Sequence, residues 1–402
     1  MATLVRLAIR NVSRHPRRTA ITAAAVALGV VFMIVASGFL DFTFWGLRQS
    51  MIHGGLGHLQ ILPPEGEVRP RLGPDLVAAV ETLLATNPAV ETVAPRLEFQ
   101  GLVSAGSRTL TFSGVGVDAV DEARVRSAML LSVGGWFTGT ERVPRALIGG
   151  GLARRLQVGL HDVVSLVTYS DRGAMSATDV QVAGIFESGV IEYDARTLLV
   201  PLATARDLME SDALSALVVM LHEGGALDSV VRSTERGLAR WRGMRVARWE
   251  QLSPIYDSVV QLYQWVLDVF LVIVTAVVVL GIANTMSMAV LERVAEIGVL
   301  RALGFGALRI VMMLLFEAGT IGAIGSAAGV ALGVVACRVI SAMGFEMPPP
   351  PGHSQGYLAE VHVVPRALAM AAAIAMASAL GAAVAPAVRS IRREVSDALR
   401  AT

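Results

Sequence analysis

The sequence predicts an α-helical membrane protein with four transmembrane helices and a large α/β extracytoplasmic domain inserted between the first and the second. Three observations carry that prediction. Mean hydropathy is +0.59, with 54% apolar and only 17% charged residues, which is too apolar for an ordinary soluble chain of 402 residues. Four runs lack charge over the roughly 20 residues a bilayer requires: Thr19 to Leu40, Val269 to Leu291, Ala318 to Cys337 and Ala367 to Val388. Between the first and second runs lie roughly 200 residues of mixed, near-neutral character, room for a folded domain.

Orientation follows from the positions of arginine. Arg6, Arg10, Arg14, Arg17 and Arg18 precede the first run, Arg293, Arg301 and Arg309 lie between the second and third, and Arg389, Arg392, Arg393 and Arg400 follow the fourth. The connection from Ser341 to Pro365 has neither Arg nor Lys. Both termini and the middle loop are therefore expected to be cytoplasmic, with the large domain on the far side. The first run is longer than the apolar core of a signal peptide, so a retained span is preferred to a cleaved leader. Trp45 and Trp265 fall at the far-side ends of the first two spans, where interfacial aromatics anchor helices.

Within the large domain, Asp75 to Leu84 has helical spacing, with Leu76, Val80, Leu83 and Leu84 on one face. Strand candidates follow at Thr92–Val93, Leu97–Val103, Thr109–Val117, Val163–Thr168, Val180–Phe186, Thr197–Val200 and Leu217–Leu221. Leu202 to Met209 and Ala226 to Arg240 read as helices. This alternation suggests two small α/β lobes packed together. From Leu252 through Ile255, Val259 and Leu262 the apolar spacing is helical, a stalk leading into the second span.

Signals for chemistry are missing. All of the 34 basic residues other than His are Arg, and a Walker A loop needs its Lys to reach the nucleotide phosphates. Gly149-Gly150-Gly151 therefore reads as a turn before a short helix. There is no His-Glu-x-x-His, no Gly-x-Ser-x-Gly and no Cys/His cluster with metal spacing. His53 and His58 are five apart, poor for one helix face. Asp118, Asp121 and Glu122 read as a solvated acidic turn. Cys337 is the single cysteine and makes no internal disulfide. No catalytic, metal or cofactor-binding residue is expected, and no nucleic-acid partner.

The third span carries a packing signal. Gly325, Gly329 and Gly333 are spaced by four, with Gly322 and Ser326 alongside. Small residues at that spacing let helix backbones approach closely, either within the chain or between two chains. Glu317 lies in or at the edge of the same span. A carboxylate there needs a partner or a function, and an Arg or backbone donor near the cytoplasmic face is favoured over a transport role.

The most informative stretch joins the second span to the third. The apolar run continues without a break into Glu292-Arg293-Val294-Ala295-Glu296-Ile297-Gly298-Val299-Leu300-Arg301-Ala302-Leu303-Gly304. A membrane helix that runs on into a charged helical turn and stops at a glycine is suited to being gripped from outside the membrane. Force transmission is expected, rather than chemistry. The alternative is a merely solvated charged loop.

At these residues the chain resembles the MacB/LolC/FtsX-like permeases of ATP-binding-cassette (ABC) systems, the type VII or mechanotransmission class. Leu7-Ala8-Ile9-Arg10-Asn11 through Arg17-Arg18-Thr19 looks like the family's amphipathic opening helix. Glu292-Arg293, Glu296-Ile297-Gly298, Leu300-Arg301-Ala302 and Gly304 are similar to its coupling helix, and Phe316-Glu317 with the glycine ladder to its third span. Ala146-Leu147-Ile148-Gly149 with Leu152-Ala153, Leu156, Gly159 and Asp162-Val163-Val164 resembles its periplasmic core domain, as does Val182-Ala183-Gly184-Ile185-Phe186. The Met347-Pro348-Pro349-Pro350-Pro351-Gly352 connection departs from the pattern, and a fused nucleotide-binding domain like that of the macrolide exporters is not expected.

The resemblance implies a division into an amphipathic cytoplasmic helix (1–18), first span (19–44), periplasmic core domain with stalk (45–260), second span (261–291), coupling helix (292–306), third span (307–340), a short periplasmic connection (341–365), fourth span (366–388) and cytoplasmic tail (389–402). It also implies a multi-pass protein of the bacterial inner membrane, working with a dimer of a separate ATPase that binds ATP and magnesium, and with a second permease chain. Glu292, Arg293, Glu296 and Arg301 would orient the coupling helix, while Ile297, Leu300 and Leu303 fill an apolar groove on the ATPase, with Gly298 and Gly304 shaping the turn. The stand-alone lipoprotein-releasing type is the nearest expectation. Efflux of a macrolide-like drug, peptide or other amphiphile through an adaptor and an outer-membrane channel is the second, and signalling to a cell-wall hydrolase the third.

Overall fold

The computed structural model describes residues 16–64, 71–138, 143–222, 224–239, 241, 243–347 and 356–392. The expected helix around Leu7–Asn11, the Pro348–Pro351 connection and the tail arginines Arg393 and Arg400 lie outside the described residues. Two compact units result. A helical unit takes in the described residues up to Trp45, Val259–Met347 and those from Leu358 onward, and an α/β unit is built on Gly46–Ser258.

Among the described residues, four helices are long and apolar enough to cross a membrane: Pro16–Met51, Pro254–Glu292, Ala307–Met343 and Pro365–Arg392. Each overruns its uncharged run, because only the hydrocarbon layer demands apolar side chains and the flanking polar turns simply continue the helix. The helical core repeats every three or four residues, as one helix face requires. It combines Val26, Val30 and Ile34 of the first helix, Val278, Ile282 and Met286 of the second, Ile310, Leu314 and Ala318 of the third, and Ala371, Ala375, Ala379 and Ala383 of the fourth. Cys337 is buried and unbridged there. The second helix is enclosed least, leaving Trp265, Val272, Val277 and Leu280 exposed.

The glycine ladder is spent inside the chain. A methyl group at Gly325 would stand 2.7 Å from Val26 Cβ, at Gly329 2.6 Å from Val30 Cβ and 2.8 Å from the Ala27 carbonyl oxygen, and at Gly333 2.9 Å from Ile34 Cδ1. The third helix therefore presses backbone to backbone on the first. Gly322 meets the fourth helix instead, 2.7 Å from Ala379 Cβ.

In the α/β unit the chain runs β1 (Leu59–Leu62), α1 (Pro74–Ala85), β2 (Val90–Ala105), β3 (Arg108–Val117), α2 (Ala119–Val125), β4 (Leu130–Gly134), β5 (Arg145–Gly149), α3 (Gly150–Leu156), β6 (Val163–Tyr169), β7 (Met175–Glu187), β8 (Thr197–Pro201), α4 (Leu202–Met209), β9 (Ala216–Leu221), α5 (Leu227–Leu238) and β10 (Arg245–Arg248). Six strands close a ring, β2–β3–β8–β5–β7–β6 and back to β2. Closure satisfies the strand edges that an open sheet leaves unpaired. The first half of β2, Val90–Arg96, also pairs with β9, which continues through β1 to β10. The two expected lobes thus share one sheet, threaded by a sixteen-residue strand. Thr92–Val93 and Leu97–Val103 belong to that single strand because Pro95, which donates no backbone hydrogen bond, sits before the ladder to β3 begins at Arg96. Leu76, Val80 and Leu84 of α1 enter the core on the face their spacing selects. Gly149 ends β5 and caps α3, the turn expected of the glycine triplet.

The acidic turn differs from its expectation. Asp118 does cap α2, accepting from the backbone N–H groups of Val120 at 2.9 Å and Asp121 at 3.2 Å. Glu122, however, is fully buried. Arg96 Nε and Nη2 donate to its two oxygens at 3.0 and 2.7 Å, and Arg126 Nε donates to Oε1. The remaining donors of these arginines grip the widened turn after Met51, Arg96 Nη1 on the Gly55 carbonyl at 2.6 Å and Arg126 Nη1 on that of Gly54 at 3.1 Å. Gly55 has φ of 132°, a left-handed conformation that favours glycine. A carboxylate one turn into a helix resembles a solvated one in sequence, and the arginines that bury it come from 26 residues before and 4 after.

Two outcomes are expected. Gly329→Ala forces a methyl group into backbone and should cost roughly 1–3 kcal/mol. Gly381→Ala, with open space around it, should be neutral or stabilising through helix propensity. Thermal unfolding of the detergent-solubilised protein measures both, and equal losses would show that the ladder does not pack. The second outcome concerns Glu122. Burial pushes its carboxyl up, but Arg96 and Arg126 outweigh that and hold it below the ordinary carboxylate value. With the folded-state value depressed, its stabilisation is present above the unfolded carboxylate value and is lost as pH falls through the folded one. Acid unfolding should therefore flatten in Glu122→Gln, which is also less stable at neutral pH. An unchanged pH profile would contradict the assignment.

Candidate functional site

The site suggested by the sequence begins where the second long helix ends. Arg18 Nη1 of the first helix donates to Glu292 Oε2 at 2.8 Å, and four residues further along the first helix the Thr22 hydroxyl lies 2.9 Å from that of Thr285 in the second. The helix then breaks at Arg293, whose φ and ψ are −114° and 18°. A second, shorter helix follows, Val294–Ala302. It closes with the N–H of Leu303 on the Val299 carbonyl and that of Gly304 on Arg301. Gly304 takes φ of +86°, the left-handed conformation in which helices commonly stop at glycine. The third long helix starts at Ala307.

The side chains of this helix divide by face. Arg293 turns into the helical unit, where Nη1 donates to Glu317 Oε2 at 3.3 Å, with the two side chains 10% and 5% exposed. Ile297, one turn later on the same face, is buried in the helical core, and Gly298 is buried beside it. Glu292, Glu296, Val299, Leu303 and Leu308 are exposed, and Arg301 is half-buried. Leu300 lies within the helix. Arg293 and Ile297, expected among the residues facing the ATPase, are instead buried against this chain's own helices, Arg293 by its pairing with Glu317 and Ile297 because residues four apart share a helix face. Glu296, Val299 and Leu303, at intervals of three and four, form the outward stripe, with Leu303 72% and Leu308 75% exposed. Glu317 has the Arg partner its position called for.

Elsewhere the chemistry is structural. Among the described residues no group of three or more His, Cys, Asp and Glu could hold a metal ion. The His53 and His58 rings meet edge to face with centroids 6.4 Å apart. His53 Nδ1 bonds the Ser127 hydroxyl at 2.8 Å, and His58 Nδ1 accepts the Leu221 N–H at 3.2 Å while burial and His53 lower its pKa. A groove of about 390 Å³ lined by Met312, Leu315, Phe316 and Leu380 has no charged wall. Trp45 and Trp265 are 44% and 70% exposed.

Residues 19–236 match the profile of the MacB-like periplasmic core domain, and residues 269–395 that of the FtsX-like permease C-terminal region. The chain is similar to an ABC transporter permease of Methanocaldococcus jannaschii, 27% identical over 225 residues, which are 53% of this chain and 53% of that one. It is similar to the lipoprotein-releasing system transmembrane protein LolE of Haemophilus influenzae, 24% identical over 323 residues, 78% of this chain and 76% of that one. Of solved structures, the periplasmic region of MacB from Actinobacillus actinomycetemcomitans matches 51% of this chain and 95% of its own, with 12% identity and a TM-score of 0.37. Two domain profiles in this order, the first over more than half of the chain, fall on the inserted α/β unit and on the helices that carry Glu292–Gly304: the chain belongs to the MacB/LolC/FtsX-like permease family of ABC transporters.

Proposed function

We propose that this chain is the transmembrane subunit of an ABC machine in which a separate ATPase dimer, holding ATP and magnesium, drives movement of the α/β domain on the other side of the membrane. The observation that carries the reading is the division of the Val294–Ala302 helix. Its inward face is fixed by Arg293 and Ile297, while Glu296, Val299 and Leu303 face outward, a compact apolar stripe with one charge of the kind that docks a helix into a groove. This helix follows a single 39-residue helix, Pro254–Glu292, that starts in the α/β unit. A push on the short helix thus has a continuous helix to act on.

Arg17, Arg18, Arg301, Arg309 and Arg389 then lie on the cytoplasmic side of an inner membrane, both termini included. The domain of residues 46–258 is extracytoplasmic. A second permease chain, identical or paralogous, completes the pair that a dimeric ATPase addresses. Similarity to LolE over most of both chains favours a lipid-linked protein as cargo, extracted from the outer leaflet.

Leu303→Asp and Glu296→Arg change exposed side chains, so folding and insertion should be retained. Either should weaken co-purification with the ATPase subunit at least about tenfold, or about 1.4 kcal/mol. Leu332→Asn, at another exposed position, on the third helix (56%), should leave ATPase binding unchanged. Binding unaffected by Leu303→Asp would remove the short helix from the interface.

A further inference from the structure

Glu292 and Arg293 are neighbours in sequence yet bind different helices, Glu292 the Arg18 of the first and Arg293 the Glu317 of the third. We propose that these contacts form a clasp that fixes the angle of the Val294–Ala302 helix to the spans, and that Glu317, acting through Arg293, is a positioning residue for energy transmission. The inference deepens the proposed function and rests on it.

The two arms are unequal. The Arg18–Glu292 side chains are 26% and 41% exposed, so solvent screens that pair and it contributes little. Arg293 and Glu317 are 10% and 5% exposed. Removing Glu317 takes the carboxylate from a buried Arg293, and removing Arg293 takes the guanidinium from a buried Glu317, and either loss is strongly destabilising to the arrangement. Glu317 lies ten residues into its helix, roughly 15 Å along the axis, so Arg293 must bend back from the break to reach it. That makes the break residue itself the tethered one. One turn on, Ile297 is buried in the same core, so the start of the short helix is pinned, while the segment after it, Leu303 to Leu308, is exposed and leads into the third long helix at Ala307. A short helix anchored at its start, with an exposed turn at its end, can pass a push on that turn to the long helices on either side.

The clasp also has a second donor in reserve. Among the described residues, Arg293 Nη2 is buried and makes no hydrogen bond, which is uncommon for a guanidinium in a native core. The pair is held by one bond where the fork offers two. A rotation of the short helix that brings Nη2 onto an acceptor would add a bond to the clasp. This use of Glu317 accounts for a carboxylate among apolar helices with no transported ion.

The test compares Glu317→Gln, Arg293→Glu, Glu317→Arg and the swapped double variant Arg293→Glu/Glu317→Arg, each purified with the ATPase subunit and reconstituted in liposomes. Glu317→Gln is near-isosteric and keeps the site filled if the charge reversals fail to fold. ATPase binding should stay within about twofold of wild type, because the outward stripe is intact. The permease-dependent part of ATP hydrolysis should fall tenfold or more in each single variant, and the swap should recover a substantial fraction of it, which a proton- or ion-carrying Glu317 would not allow. Wild-type hydrolysis in Glu317→Gln, or a folded swap as inactive as its single variants, would overturn the clasp. A wild-type chain that neither binds nor stimulates the ATPase would instead overturn the proposed function, leaving the two failures distinguishable.

Discussion

Hydrocarbon solvates no charge, and the arrangement of the helical unit follows from how this chain meets that constraint at one carboxylate. Glu317 is buried among apolar helices, and Arg293 is the group that compensates it. The second long helix ends and the chain changes direction at this same Arg293, where the short helix starts. Ile297 follows inward by helical period, and Glu296, Val299 and Leu303 are left outward by the same period. Close contact of the first and third helices through Gly325, Gly329 and Gly333 holds the frame within which this pairing occurs. Close packing supplies what the hydrophobic effect cannot between helices that lipid already solvates.

The α/β unit solves a comparable problem with different means. Its sheet closes on itself through six strands, so that the domain presents few free edges, and β2 ties the ring to the β9–β1–β10 extension. Where the first long helix leads into this unit, the Gly54 and Gly55 carbonyls are held by Arg126 and Arg96, which Glu122 in turn orients. Each of the two units thus has a buried guanidinium–carboxylate pair at a point where a long helix changes course. Such pairs are poor sources of net stability but costly to break from one side, a property suited to joints.

Much of this was legible in the sequence. Uncharged runs mark the four long helices because the bilayer's demand is local and compositional. The positions of Leu76, Val80 and Leu84, the turn at Gly149–Gly151 and the stop at Gly304 follow from spacing and from the conformational freedom of glycine. The need of Glu317 for an Arg or backbone donor was also legible, but not which group would supply it. Arg293 is 24 residues away, and nothing in its neighbourhood distinguishes it from Arg301 or Arg309. For the same reason Arg293 and Ile297 were expected on a docking face, and Glu122 in solvent. Ring closure was hidden as well, since strand pairing across large separations leaves no periodic trace.

If the chain is a lever between an ATPase and the α/β domain, nucleotide must change the distance between the two units. With Cys337 replaced by Ala, spin labels on cysteines introduced at Met175, in the domain, and Met343, at the end of the third helix, report that distance; both positions are exposed, 73% and 62%. In the reconstituted complex the account predicts one distance distribution without nucleotide, a shifted one with a non-hydrolysable ATP analogue, and no shift when Leu303→Asp is added. An identical distribution in all three, while the unmodified complex hydrolyses ATP, would contradict it.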